Sequence, residues 1–256
     1  MRPGGELRGN RLRGFARLVI AVGGGCSIAW AFLAYPSLRH ETAFAAAAQH
    51  ILSGEQYNAE QLSELRGKLG ASLDISLRPS ALNDIAVIRL RLAEADLVLG
   101  QASAADLDAL QRSIDAALDH NPARSFLWLT DYWLQRLRSD SGPADSGLLR
   151  MSYQTGPNEA WIALKRNPVG LAVFPSLPED LKGRAIAEFA GLVRSWLYQD
   201  AASILAGPGW PVRQQLTNGL AQLDEGHRWR FAQTLEARDI EDVVVPGVEK
   251  QRSFRR

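Results

Sequence analysis

The sequence predicts an all-α protein. From Ser37 onward apolar residues recur with a helical period nearly throughout. Strand-like alternation is almost absent, and the breaks in the pattern collect glycine, proline and serine. The opening of the chain has a different character. Residues 18–35 form an eighteen-residue run without a charge, preceded by Arg2, Arg8, Arg11, Arg13 and Arg17 with only Glu6 against them.

That opening fixes the first expectation. Eighteen apolar residues lie at the short end of what spans a bilayer core, and the basic flank keeps residues 1–17 on the cytoplasmic side, so the segment runs N-in and C-out. A cleaved secretory signal is the competing reading, with residues 18–28 as its apolar core and Ala29-Trp30-Ala31 as a small-x-small cleavage site. Either way the remainder is expected on the outer side of an inner, cytoplasmic-type membrane, in the periplasm or its equivalent. Gly23, Gly24 and Gly25 after an apolar run imitate a dinucleotide-binding turn. The third glycine position holds Ile28, however, and no acidic residue follows about twenty residues on. Cys26 is the lone cysteine, so the exported part has no disulfide staple and folds on its hydrophobic core.

The helices follow in order. A first pair is expected over 41–52 and 58–69, with Asn58 and Gln61 spaced as a capping box and Leu62, Leu65 and Leu69 on one face. A second pair covers about 82–99 and 104–119. Gly100 ends the first of these and Ser103 caps the next, whose Leu107, Leu110, Ile114, Ala117 and Leu118 make a single apolar stripe. Phe126, Leu127, Trp128, Leu129, Tyr132, Trp133, Leu134 and Leu137 then cover nearly a whole helix circumference, which predicts a helix enclosed by others. A short partner covers 145–153, and another helix opens after Gly156-Pro157-Asn158. Asn167-Pro168, Pro175 and Pro178 are read as a break, with Ser176 and Glu179 as a second capping box. One long helix is expected over 179–205. A short helix starts at Pro211, another covers 226–238, and residues 240–256 read as a flexible tail.

Helix starts repeat. Asn121-Pro122 precedes Phe126-Leu127-Trp128-Leu129, and Gly156-Pro157 precedes Trp161-Ile162-Ala163-Leu164, with the prolines 35 residues apart; Pro79 stands 43 residues before Pro122. A helix pair of about 34 residues with proline at its junction resembles the tetratricopeptide repeat. Trp128 matches an aromatic of that family's first helix, and Ile114 and Ala117 match apolar and small positions of its second. Asp131 and Tyr132 stand where leucine and glycine would be expected. The resemblance covers 37–173, followed by a C-terminal helical segment over 174–239. It implies an α-solenoid whose concave surface holds peptides or proteins.

Composition and motifs exclude several chemistries. The leader carries +4 and the chain totals +1, so the remainder is −3 and has no basic footprint for nucleic acid. His40, His50, His120 and His227 lack metal-ligand spacing, so neither a metal nor a cofactor is expected. There is no G-x-S-x-G elbow and no Glu-Ser pair of the kind that lytic transglycosylases use, and no catalytic residue is assigned. Glu188 and Glu159 are the acids to test for glycan chemistry. Six tryptophans lie beyond the leader. Four are expected in the core, whereas Trp210, on the turn Gly207-Pro208-Gly209-Trp210-Pro211, is the candidate exposed anchor. Trp229, flanked by Arg228 and Arg230, is a candidate basic-aromatic patch. The expectation is a non-enzymatic, membrane-tethered scaffold or adaptor for protein partners in a bacterial-type cell envelope, with polysaccharide synthesis or export as the suggested setting. The alternative is a periplasmic glycan-binding or glycan-cleaving protein.

Overall fold

The computed structural model describes residues 44–71, 79–138, 145–240 and 242–248. Among them every regular element is helical. The expected membrane segment, 18–35, lies outside the described residues. Among those described, no helix is long and apolar enough to cross a membrane. The chain divides into two compact units, Met1–Ser113 and Ile114–Arg256.

In the first unit α1 covers 44–52, α2 Ala59–Ala71 and α3 Pro79–Val98. The α2 start is the expected capping box. The Gln61 amide donates to Asn58 Oδ1 at 2.8 Å, and the Asn58 amide donates to Gln61 Oε1 at 2.9 Å. Leu65 and Leu69 of α2 meet Phe44 and Ala47 of α1 and Ile85, Ile88 and Leu92 of α3 in one buried cluster. Gly100, at φ +67°, ends the following turn in the left-handed region that glycine adopts without strain. Ser103 Oγ then accepts the Asp106 amide, as expected of the cap to α4, Ala104–His120. The division between units falls within α4, whose stripe Leu110, Ile114, Ala117 and Leu118 is buried.

In the second unit α5 (Ser125–Arg138) packs with α6 (Ser146–Thr155), and α7 (Ala160–Ala172) with α8 (Glu179–Arg194). The structure is thus all-α with helices packed in pairs, an arrangement compatible with a helical repeat solenoid. Helix α5 is less enclosed than its circumference suggests: Trp128 and Trp133 are half-buried and Leu137 is exposed. After α8 come α9 (Tyr198–Ala206), α10 (Arg213–Gly219) and α11 (Glu225–Ala237), all packed around one core in which Phe189 of α8 meets Phe231 of α11 edge-on at 5.9 Å.

Three local expectations are corrected. The long helix over 179–205 is two helices, because Trp196 stands at φ +67°, a left-handed conformation that ends α8 and redirects the chain. Asn167-Pro168 does not break α7, which continues to Ala172; the Asn167 side chain instead donates to the Ala185 carbonyl of α8 at 2.8 Å. Ser176 caps nothing, since its hydroxyl donates back to the Val173 carbonyl and Pro178 occupies the α8 N-cap. Within the segment read as a tail, Val243 and Val245 are buried in the α8–α11 core.

Candidate functional site

Helix α7 buries Ile162, Ala163, Arg166, Asn167, Gly170 and Leu171, a one-sided spacing that carries Arg166 into the interior with the apolar residues. A fully buried guanidinium persists only where its donors are met. Arg166 meets that demand. Its Nε and Nη2 donate to Glu188 Oε1 at 2.9 and 2.7 Å, and Nη2 also reaches the Gly156 carbonyl at 3.0 Å. Its Nη1 donates to the Ser152 carbonyl at 2.5 Å and lies 3.1 and 3.2 Å from the hydroxyls of Ser152 and Ser125. The guanidinium carbon sits 4.1 Å from the centroid of the Tyr153 ring, whose hydroxyl donates to Glu188 Oε2 at 3.1 Å. One side chain of α7 therefore ties α5, α6, the Gly156 turn and α8 together.

Burial dominates the electrostatics here. Desolvation raises the Glu188 carboxyl above its ordinary 4.5, and the attraction of Arg166 offsets only part of that rise. The Tyr153 hydroxyl is pushed well up, by burial first and by the neighbouring Glu188 charge second. Glu188 nevertheless borders an open cleft of about 400 Å³ along α7 and α8. Ala160, Ala163, Ala187 and Gly191 line it together with Pro157 and Leu192. Tyr153, Asn158 and Ser195 line it, and Arg184 and Arg194 border it.

Comparison with known proteins adds no assignment. No family model, curated protein or solved structure matches this chain.

The residues singled out from sequence go to different places. Trp210 is half-buried against the α8–α11 core, and Arg213 stacks on its ring at 4.6 Å while donating to its carbonyl. Trp229 is 48% exposed on α11. Its two neighbours diverge, as positions two apart on a helix do. Arg228 donates to the Pro246 carbonyl at 2.6 Å, and Arg230 stacks on Trp196 at 4.9 Å. Trp196, 60% exposed, is edge-on to His227 at 5.3 Å, and His227 Nδ1 lies 2.8 Å from the Tyr198 hydroxyl. The structure thus brings together Trp196, Tyr198, His227 and Arg230. Glu159 accepts the Trp161 indole N–H at 3.1 Å. None of the described tryptophans is fully buried, so the four expected in the core are at most half-buried.

Sequence reasoning reached Glu188 but missed Arg166. The available signal was its register: Arg166 follows Ile162 by four residues on the same apolar stripe, where a charge demands a buried partner. The helix expected over 179–205 runs through Trp196 because no residue type near it announces a left-handed turn. Glycine or asparagine is the usual marker of such a turn.

Proposed function

We propose that this chain is a non-enzymatic scaffold or adaptor, tethered to the inner membrane by a single span at 18–35, with its tetratricopeptide-like helices on the outer side holding protein partners of a bacterial-type cell envelope. Polysaccharide synthesis or export is the proposed setting. The observation that carries the reading is the surface at the α8–α9 junction. There a large aromatic, Trp196, is held in a conformation costly for a bulky residue and is left exposed beneath the Arg230 guanidinium. Aromatic and arginine side chains presented together are the residues that dominate protein–protein hot spots. Both acids considered for glycan chemistry have partners: Arg166 and Tyr153 for Glu188, and Trp161 for Glu159.

Capture of tagged full-length protein from membranes in mild detergent tests the proposal, with wild type compared against Trp196→Asn. Asparagine tolerates the left-handed conformation, so the variant removes the aromatic and keeps the turn. Partners held stoichiometrically by wild type and lost from the variant support the reading. An identical partner set, or recovery of the protein alone, refutes it. The second reading, glycan binding or cleavage, is favoured by the position of Glu188 on an open cleft. A loss of biological effect in folded Glu188→Gln or Glu159→Gln protein, with partners retained, would replace the scaffold with that reading.

A further inference from the structure

The α7–α8 cleft has a feature that the Arg166 network does not use. Arg166 and Glu188 cancel one another, and among the described residues Glu188 is the only carboxylate lining the space. Arg184 and Arg194 also border it. Both are exposed, and neither pairs with a carboxylate among the described residues. The cleft therefore carries an excess of two positive charges. Ten residues of α8 separate the two arginines, about 15 Å along the axis, so they frame opposite ends of the space.

Small residues make up part of the cleft wall. Gly191 lies in the interior of α8, where glycine is less favourable than alanine. A Cβ built there meets nothing within 4 Å. The lining also offers groups suited to a polar ligand: Asn158 with a side-chain amide and Ser195 with a hydroxyl.

We propose that this cleft binds a small, polar, oxyanion-bearing organic ligand of about monosaccharide size, its charged group held electrostatically by Arg184 or Arg194. The site stands independently of the scaffold reading. The probes are glucose 6-phosphate and glucuronate, with glucose as the neutral control, titrated calorimetrically into full-length detergent-solubilised protein at low salt. At least one anionic probe should bind while glucose does not. The better of the two anions identifies the charged group as phosphate or carboxylate. Arg184→Ala or Arg194→Ala, whichever arginine holds the anion, should raise its Kd roughly tenfold or more, the loss expected of one charge-assisted contact. Gly191→Leu, which projects a side chain into open space, should abolish binding with the helical circular dichroism intact. The proposal is overturned if neither anion binds, if glucose binds equally well, or if binding survives both arginine changes undiminished.

Discussion

Arg166→Met is the most decisive single change to the fold. It removes a guanidinium with no solvent exposure and leaves the Glu188 carboxylate, 7% exposed, without its cation. Breaking a buried pair in this way costs about 3–5 kcal/mol. The Gly156 carbonyl loses its donor as well, adding about 1 kcal/mol, whereas the Ser152 carbonyl keeps the Ser125 hydroxyl at 2.7 Å. A total near 5 kcal/mol in a unit of this size lowers the melting midpoint by roughly 15–20 °C. Thermal unfolding of the full-length protein in mild detergent, followed by far-ultraviolet circular dichroism, measures it. The loss should also depend on pH. The folded-state value of Glu188 is raised, so its contribution to stability is fully present below the ordinary 4.5 and is lost as pH rises through the elevated value. Removing Arg166 raises that value further, making the variant's deficit smaller at pH 5 than at pH 8. Asp180 and Asp224 are lowered instead, by Arg150 and by the His227 amide respectively. Their contributions disappear only as pH falls below the ordinary 3.8, outside that window. The double change Arg166→Met with Glu188→Met should recover at least half the loss. A single-variant loss under about 5 °C, or one equal at both pH values, would refute the assignment of Arg166 as a buried charged hub.

Gly183 lies within α8 with nothing within 4 Å of a built Cβ, so Gly183→Ala should raise stability by about 0.5–1 kcal/mol in urea titration. Gly156→Ala should do the opposite. Its Cβ would stand 2.5 Å from Cβ and Oγ of buried, hydrogen-bonded Ser125, and the overpacking costs about 1–3 kcal/mol by the same measurement. Asn58→Ala removes the cap of α2 and should cost about 1 kcal/mol, seen as faster hydrogen exchange of the first-turn amides of that helix.

Helix identity was legible wherever local chemistry decided it. Asn58 with Gln61, Gly100 and Ser103 announce their caps in the sequence and adopt them in the structure. What was illegible depends on residues distant along the chain. Pro168 reads as a breaker, yet α7 runs through it while Asn167 and Arg166 bond to Ala185 and Glu188 on α8, 18 and 22 residues away. The patch around Trp229 was legible as a composition and not as a surface. Its arginines bond to Pro246 and stack on Trp196, which belong to other elements. Glu188 could be picked out as an acid on a helix, but its partner, its burial and the adjoining cleft come from tertiary packing.

The reach of Arg166 also bears on how the second unit comes apart. In a stack of repeats each pair contacts only its neighbours, so one end can fray while the other stays folded. A guanidinium bonded to Ser125 at the start of α5 and to Glu188 in the middle of α8 ties the first helix of one pair to the last helix of the next. Releasing α8 strips the guanidinium of Glu188 and releasing α5 takes away the Ser125 hydroxyl, so each opening breaks bonds made by the same side chain. The four helices α5–α8 should therefore melt as one cooperative block, with their slowest amides exchanging only through unfolding of the whole block.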